Sequence, residues 1–139
     1  MVRITVKNLQ KKVLVYPHKI KEKIIKVLKG EKFKGEAEIT VCFINDRLIR
    51  KLNKKFLKKD CPTDVLAFNI ANHKKAGLSA DIIISAETAL RNTKIFKTTP
   101  AYELSLYSVH GVLHLLGYND HSVKEKEEMR KKEKEYVHT

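Results

Sequence analysis

The run Asp81–Ser85, DIIIS, sets three isoleucines in succession. Strand side chains alternate between faces, so three apolar residues in a row predict a central strand buried on both sides. Such a strand needs a sheet neighbour at each edge and helices over its faces. The rest of the chain offers both. Val2, Ile4 and Val6 alternate with polar residues as in a strand with one buried face, and Ala37–Ile44 (AEITVCFI) is rich in β-branched and aromatic residues. Val65–Phe68 is a short apolar run, and Val13–Tyr16 could add another short strand ended by Pro17. Between these lie helical periods. Ile20, Ile24, Val27 and Leu28 recur at helical spacing up to Gly30, and Leu48, Ile49, Leu52 and Phe56 share a face behind a cap at Asn45 or Asp46. On this pattern Phe56 is a core residue. LKKDCPT and ANHKKAGLSA read as connections. Three helices, about 86–96, 102–116 and 122–137, finish the chain, with Pro100 near the start of the second. The last carries Lys124, Glu128 and Lys132 on one row and Glu127 with Lys131 on another, a solvated face with ion pairs. No repeat or linker divides the 139 residues. The expectation is one α/β (α+β) domain over residues 1–139: a mixed, mostly parallel four-stranded sheet packed with helices.

Charge narrows the function. Lys and Arg total 29 against 16 Asp and Glu, a formal net charge of +13. A surface this basic favours a polyanionic partner, nucleic acid before an anionic membrane; a Lys-rich surface selected for other reasons is the bland alternative. Cys42 and Cys61 are the two cysteines, without C-x-x-C spacing, which points to neither a disulfide framework nor a cysteine zinc site. The first residues, MVRITVKNLQKK, lack the apolar core of a signal peptide, and no apolar run approaches a membrane span, so a cytoplasmic location without membrane contact is expected.

HGVLHLLGYNDH, residues 110–121, holds three of the six histidines. His110 and His114 are four apart, so on a helix both rings leave the same face one turn apart and can chelate one ion. Val109, Val112, Leu113 and Leu116 anchor the other faces, and Gly117 can end the helix in a left-handed turn that returns a third ligand to the site. Three protein ligands with one open position is the pattern of catalytic zinc. Zinc proteases place Glu after the first His as general base. Here that position is Gly111, which disfavours a protease.

These residues resemble a known signature. His110 through Tyr118 is similar to the H-G-x-L-H-L-L-G-Y of the YbeY family of bacterial rRNA maturation factors. Asp60, Pro62, Thr63, Asp64, Val65, Leu66 and Phe68 resemble its D-x-P-T-D-V-L-S-F with Ala67 for Ser, and Asp81–Ser85 resembles its G-D-I-V-I-S with Ala80 for Gly. The resemblance implies a zinc-dependent endoribonuclease specific for single-stranded RNA. It would act in 16S rRNA 3′-end maturation and late ribosome quality control, with the small ribosomal subunit as partner, as a monomer or weak oligomer. It implies one Zn2+ per chain on three histidines, His110, His114 and His121, with His114 central to catalysis. Two departures bear on this. The family's third histidine usually lies six residues after the second, whereas His121 lies seven after His114 and Asp120 holds the sixth position. Either His121 ligates through a longer loop, the preferred assignment, or Asp120 ligates through its carboxylate. Leu57 stands where the family usually has Arg. A phosphate-holding fork is then lost, and Lys58 or Lys59 could supply only point charge as catalytic cations.

Arg47, Arg50, Lys51, Lys54, Lys55, Lys58 and Lys59, with Asn53 among them, form a basic stretch suited to tracking an RNA backbone, or a solvated helix face. Asp64 could accept the N–H of a metal-bound histidine or cap its own turn. Tyr118 is read as packing before RNA contact, and His18, His73 and His138 as surface residues. Two rivals stand beside the nuclease. One is an RNA-binding assembly factor with structural zinc, which Leu57 favours. The other is a metal-dependent hydrolase of another substrate class, against which Gly111 counts for peptides.

Overall fold

The computed structural model describes residues 1–58, 64–70 and 77–138. In chain order these form β1 (Val2–Asn8), α1 (Pro17–Gly30), β2 (Glu36–Ile44), α2 (Asp46–Leu57), β3 (Val65–Asn69), β4 (Gly77–Ser85), α3 (Ala86–Phe96), α4 (Pro100–Leu115) and α5 (Val123–Val137). The sheet order is β1-β2-β4-β3. β1, β2 and β4 run parallel, and β3 is antiparallel to β4. This is the expected mixed, mostly parallel four-stranded sheet, with DIIIS in the interior strand.

Side-chain alternation divides the two faces. Ile39, Val41, Phe43, Ile82 and Ile84 point to a large core shared with Ile24 and Val27 of α1 and Leu104, Val109, Val112 and Leu113 of α4. Ile44 and Leu66 meet Ile49 of α2 in a smaller core on the other side, with Ile83 packed against it. Ile82 and Ile84 thus face one helical layer and Ile83 the other, which is why the three central positions of the run are all apolar. Gly111 lets α4 lie close to β4: a Cβ there would come within 2.9 Å of the Ile82 Cγ2. Position 111 therefore faces the sheet.

Three expectations need correction. Val13–Tyr16 is not a strand. Gln10 folds back onto Val13, accepting its N–H at 3.0 Å and donating to its C=O at 2.8 Å, so those backbone groups bond a side chain and not a ladder. β4 begins at Gly77, so GLSA is strand, not connection; its small residues hid the alternation of buried Leu78 and Ala80. Phe56 is not core: it is 55% exposed, with its ring 5.6 Å from Phe68 at the margin of the α2 layer.

α5 also departs from a purely solvated helix. A capping box starts it, the Ser122 side chain accepting the Glu125 N–H while the Glu125 carboxylate accepts that of Ser122. It then buries Met129, Tyr136 and Val137. Lys132 pairs with Glu31 at the end of α1 and with Glu135, not along the expected row. Among the described residues no helix is long and apolar enough to cross a membrane.

Candidate metal centre

α4 brings two histidines to the mouth of a loop and stops there. Gly117 N–H donates to the His114 carbonyl and Tyr118 N–H to the Leu113 carbonyl, both at 3.0 Å. This double closure ends a helix through a left-handed residue, and Gly117 has φ +105°. The chain reverses and carries Asn119 and Asp120 back past the last turn before Ser122 caps α5.

The reversal assembles a cluster. His110 Nε2 and His114 Nε2 face each other at 2.9 Å, with rings nearly perpendicular and centroids 4.5 Å apart. Asp120 Oδ2 lies 3.6 Å from His114 Nε2 and 3.9 Å from His110 Nε2. All three ligand atoms fall within 4.8 Å of one another. Tetrahedral ligands at 2.0–2.1 Å from zinc stand about 3.4 Å apart, so the cluster has nearly the spacing a small divalent ion requires. Two nitrogens and one carboxylate oxygen suit zinc or a neighbouring transition metal. The His110, His114 and Asp120 side chains are 22%, 31% and 40% exposed, so solvent reaches the cluster.

The far side of His110 is fixed. Its Nδ1 lies 2.7 Å from the Glu133 carboxylate, a side chain only 14% exposed. Burial alone would lower the proton affinity of His110, but the hydrogen bond and charge of Glu133, followed by the charges of Asp64 and Asp120, raise it above the ordinary imidazole value. A carboxylate behind a ligating histidine holds the proton on Nδ1 and leaves the Nε2 lone pair toward the metal.

The remaining site residues fall into place as follows. His121 is exposed and outside the three-residue group. Asp64 Oδ1 accepts the Val65 N–H at 2.8 Å, so the turn-capping alternative describes that atom, while the carboxylate also adds negative charge near His110. Tyr118 packs against the core and donates its O–H to Glu31. On α2, Arg47, Arg50, Lys51, Lys54 and Lys55 are exposed, as are Leu57 and the left-handed cap residue Lys58. The Lys55 ammonium sits 5.4 Å from the Phe56 ring centroid. Asp46, the one acid of α2, is turned away to Ser85, Thr88 and Arg91. Asn53 is buried. Lys59, Asp60, Cys61, Pro62, Thr63 and His73 lie outside the described residues.

The charge rows of α5 conceal Glu133 in the sequence. A signal existed. Met129 and Tyr136, both buried, stand four before and three after Glu133, so the acid lies on the inward stripe.

The endoribonuclease YbeY family profile matches residues 5–139. A relative named endoribonuclease YbeY from Chloroherpeton thalassium is 38% identical over 119 residues, covering 86% of this chain and 82% of its own. Another, from Syntrophus aciditrophicus, is 32% identical over 138 residues, covering 95% and 86%. A Thermotoga maritima protein solved in solution superposes with a TM-score of 0.66 at 31% identity, over 99% of this chain and 87% of that one. With the match running almost end to end and the histidine-bearing helix inside it, the chain belongs to the YbeY endoribonuclease family.

Proposed function

We propose that the chain is a metal-dependent endoribonuclease for single-stranded RNA, with zinc as its metal and small-subunit ribosomal RNA as its substrate, in 16S 3′-end maturation and late ribosome quality control. The observation that carries this is the convergence of His110 Nε2, His114 Nε2 and Asp120 Oδ2 within 4.8 Å in a chain of this family. These three would hold the ion, with Asp120 in the position for which the resemblance prefers His121. A divalent cation there would stabilise the negative charge that grows on phosphodiester oxygens during cleavage.

The protein's own groups prepare that chemistry. Glu133 orients the His110 ring, and Gly111 seats α4 against β4 so that the two imidazoles stay in register. Lys58 and Asp64 are six residues apart, so the end of α2 lies at most roughly 21 Å from Asp64 along an extended chain, a few nucleotides of RNA. The exposed cations Arg47, Arg50, Lys51, Lys54, Lys55 and Lys58 would hold the backbone along α2, continued by Lys59. Leu57, 49% exposed, offers no arginine fork, so charge for the reacting phosphate would come as point charge from Lys58, or from Lys59, which lies outside the described residues.

Leu57 also favours a second reading, an RNA-binding ribosome-assembly factor whose metal is structural. One experiment separates the two. Single-stranded RNA is incubated with parent and His114→Ala protein, with and without chelator and added zinc. The nuclease gives multiple turnovers that chelation abolishes, zinc restores and His114→Ala lacks. Undiminished cleavage by His114→Ala would remove the mechanism, while RNA binding without turnover would support the assembly factor.

A further inference from the structure

We propose that Glu31 is a positioning residue for the metal-bearing loop, holding Tyr118, and through it Asp120, where the third ligand is needed. The proposal rests on the metal reading above. Glu31 is the residue after α1. Its Oε1 accepts the Tyr118 O–H, its Oε2 accepts the Tyr136 O–H, and Lys132 Nζ stands 3.2 Å from Oε2. One carboxylate, 13% exposed, therefore joins the end of α1, the loop after α4 and two turns of α5.

The loop has reason to need a tether. Tyr118 N–H completes the closure of α4, and the next backbone anchor is the Ser122 cap of α5. Tyr118 lies two residues before Asp120. One side of the loop borders an open cavity of about 570 Å3 lined by Glu31, Phe33, Gly117, Tyr118, Asn119 and Glu125; the Tyr118 ring packs against the core and Asn119 bonds Glu125, so the Glu31 bond fixes the hydroxyl end of a ring whose body is already seated. Burial would push the Glu31 carboxyl up, yet hydrogen bonds from Tyr118, Tyr136 and Lys132 outweigh it and hold the group below the usual carboxylate range. At neutral pH it is a charged acceptor, and charge-assisted bonds are the stronger kind. Tyr136 has a separate hold: its ring lies against Gly30, where a Cβ would come within 2.4 Å of the hydroxyl and 2.5 Å of Cε1. Its hydroxyl can be removed without freeing the loop.

That asymmetry supplies the test. Zn2+ affinity is measured by competition with a chromophoric chelator for full-length parent, Glu31→Gln, Tyr118→Phe, Tyr136→Phe and His114→Ala, alongside thermal unfolding of each metal-free protein. Glu31→Gln and Tyr118→Phe should weaken zinc binding about tenfold, the lower end of the range for groups that orient ligands, while Tyr136→Phe stays within twofold of the parent. Unchanged affinity in Glu31→Gln and Tyr118→Phe, whatever their thermal stability, overturns the proposal and leaves Glu31 a structural tie. An equal loss in Tyr136→Phe overturns it too, since general loosening would then be the cause. If Glu31→Gln does not fold, Tyr118→Phe, which keeps the ring, decides alone. A parent that binds no zinc, or binds it equally well as His114→Ala, refutes the metal reading itself; a parent that binds through His114, with both loop variants unaffected, refutes only this step.

Discussion

At His110 the two ring nitrogens meet different partners, and that division sets what the residue can do. Nε2 faces His114 and Asp120, while Nδ1 is tied to Glu133. Replacing Glu133 by Ala leaves the ligand atoms in place but frees the ring and its tautomer, and should reduce Zn2+ affinity by about 10–100-fold in calorimetric titration. A titration that superposes on the parent would make Glu133 a packing residue. The loop poses a sharper question, because Asp120 and His121 are adjacent and both are chemically competent. Asp120 is within 3.9 Å of both imidazoles, and His121 is exposed. Asp120→Ala should therefore lose at least the roughly tenfold in zinc affinity that loss of a merely ligand-orienting group costs, and His121→Ala less than about twofold. The reverse order would return the third position to the histidine. Sequence alone left this pair open for a physical reason. An extra loop residue can be absorbed in several ways after a left-handed glycine, and side-chain direction in such a loop has no periodicity to read.

Elements were legible where one period ran undisturbed. DIIIS, AEITVCFI and the apolar frame of α4 fixed the interior strands and the metal-bearing helix, because burial on a regular lattice leaves a regular trace. The trace failed where a side chain replaced the lattice, as Gln10 does beside Val13, and where an apolar residue closed the margin of a helix, as Phe56 does. It also failed where polar residues tie elements together. At the start of α2, Asp46 accepts from Ser85 Oγ at 2.5 Å, from Thr88 Oγ1 at 2.8 Å and from Arg91, and Glu87 accepts the Asp46 N–H and pairs with Lys12. Burial would raise the Asp46 carboxyl, but Arg91, Ser85 and Thr88 together hold it below its usual range. A carboxyl lowered by folding stabilises the protein above its unfolded titration and loses that contribution as pH falls through the folded one. Asp46→Asn should thus be less stable than the parent by about 1–2 kcal/mol at pH 7. The gap should close toward pH 3, measured as denaturant midpoints across that range. A gap that is constant with pH would show that hydrogen bonds, not the charge, fasten α2 to α3.

The molecule carries a basic surface on α2 and a compact cluster of nitrogen and oxygen ligands at the end of α4, and the two can be separated experimentally. The net charge of +13 is spread over several helices and is too general to name a substrate, but α2 differs from α5 in carrying a single acid. α2 carries Arg47, Arg50, Lys51, Lys54 and Lys55 on its exposed side, and its one acid is engaged elsewhere. If this face holds the RNA backbone, each phosphate contact releases condensed counterions, and the logarithm of affinity falls with the logarithm of salt by about 0.7 per contact for single strands. Replacing Arg47, Lys51 and Lys55 together by Ala should lower that slope by about 2, with zinc affinity unchanged because none of the three belongs to the ligand cluster. Binding of a short unstructured RNA, measured by fluorescence anisotropy from 50 to 300 mM salt, reads the slope directly. An unaltered slope would place the RNA path on another face of the molecule, and α2 would then be basic for solubility alone. A lowered slope with retained turnover at low salt would assign α2 to holding substrate and leave bond cleavage to the histidine-bearing end of α4.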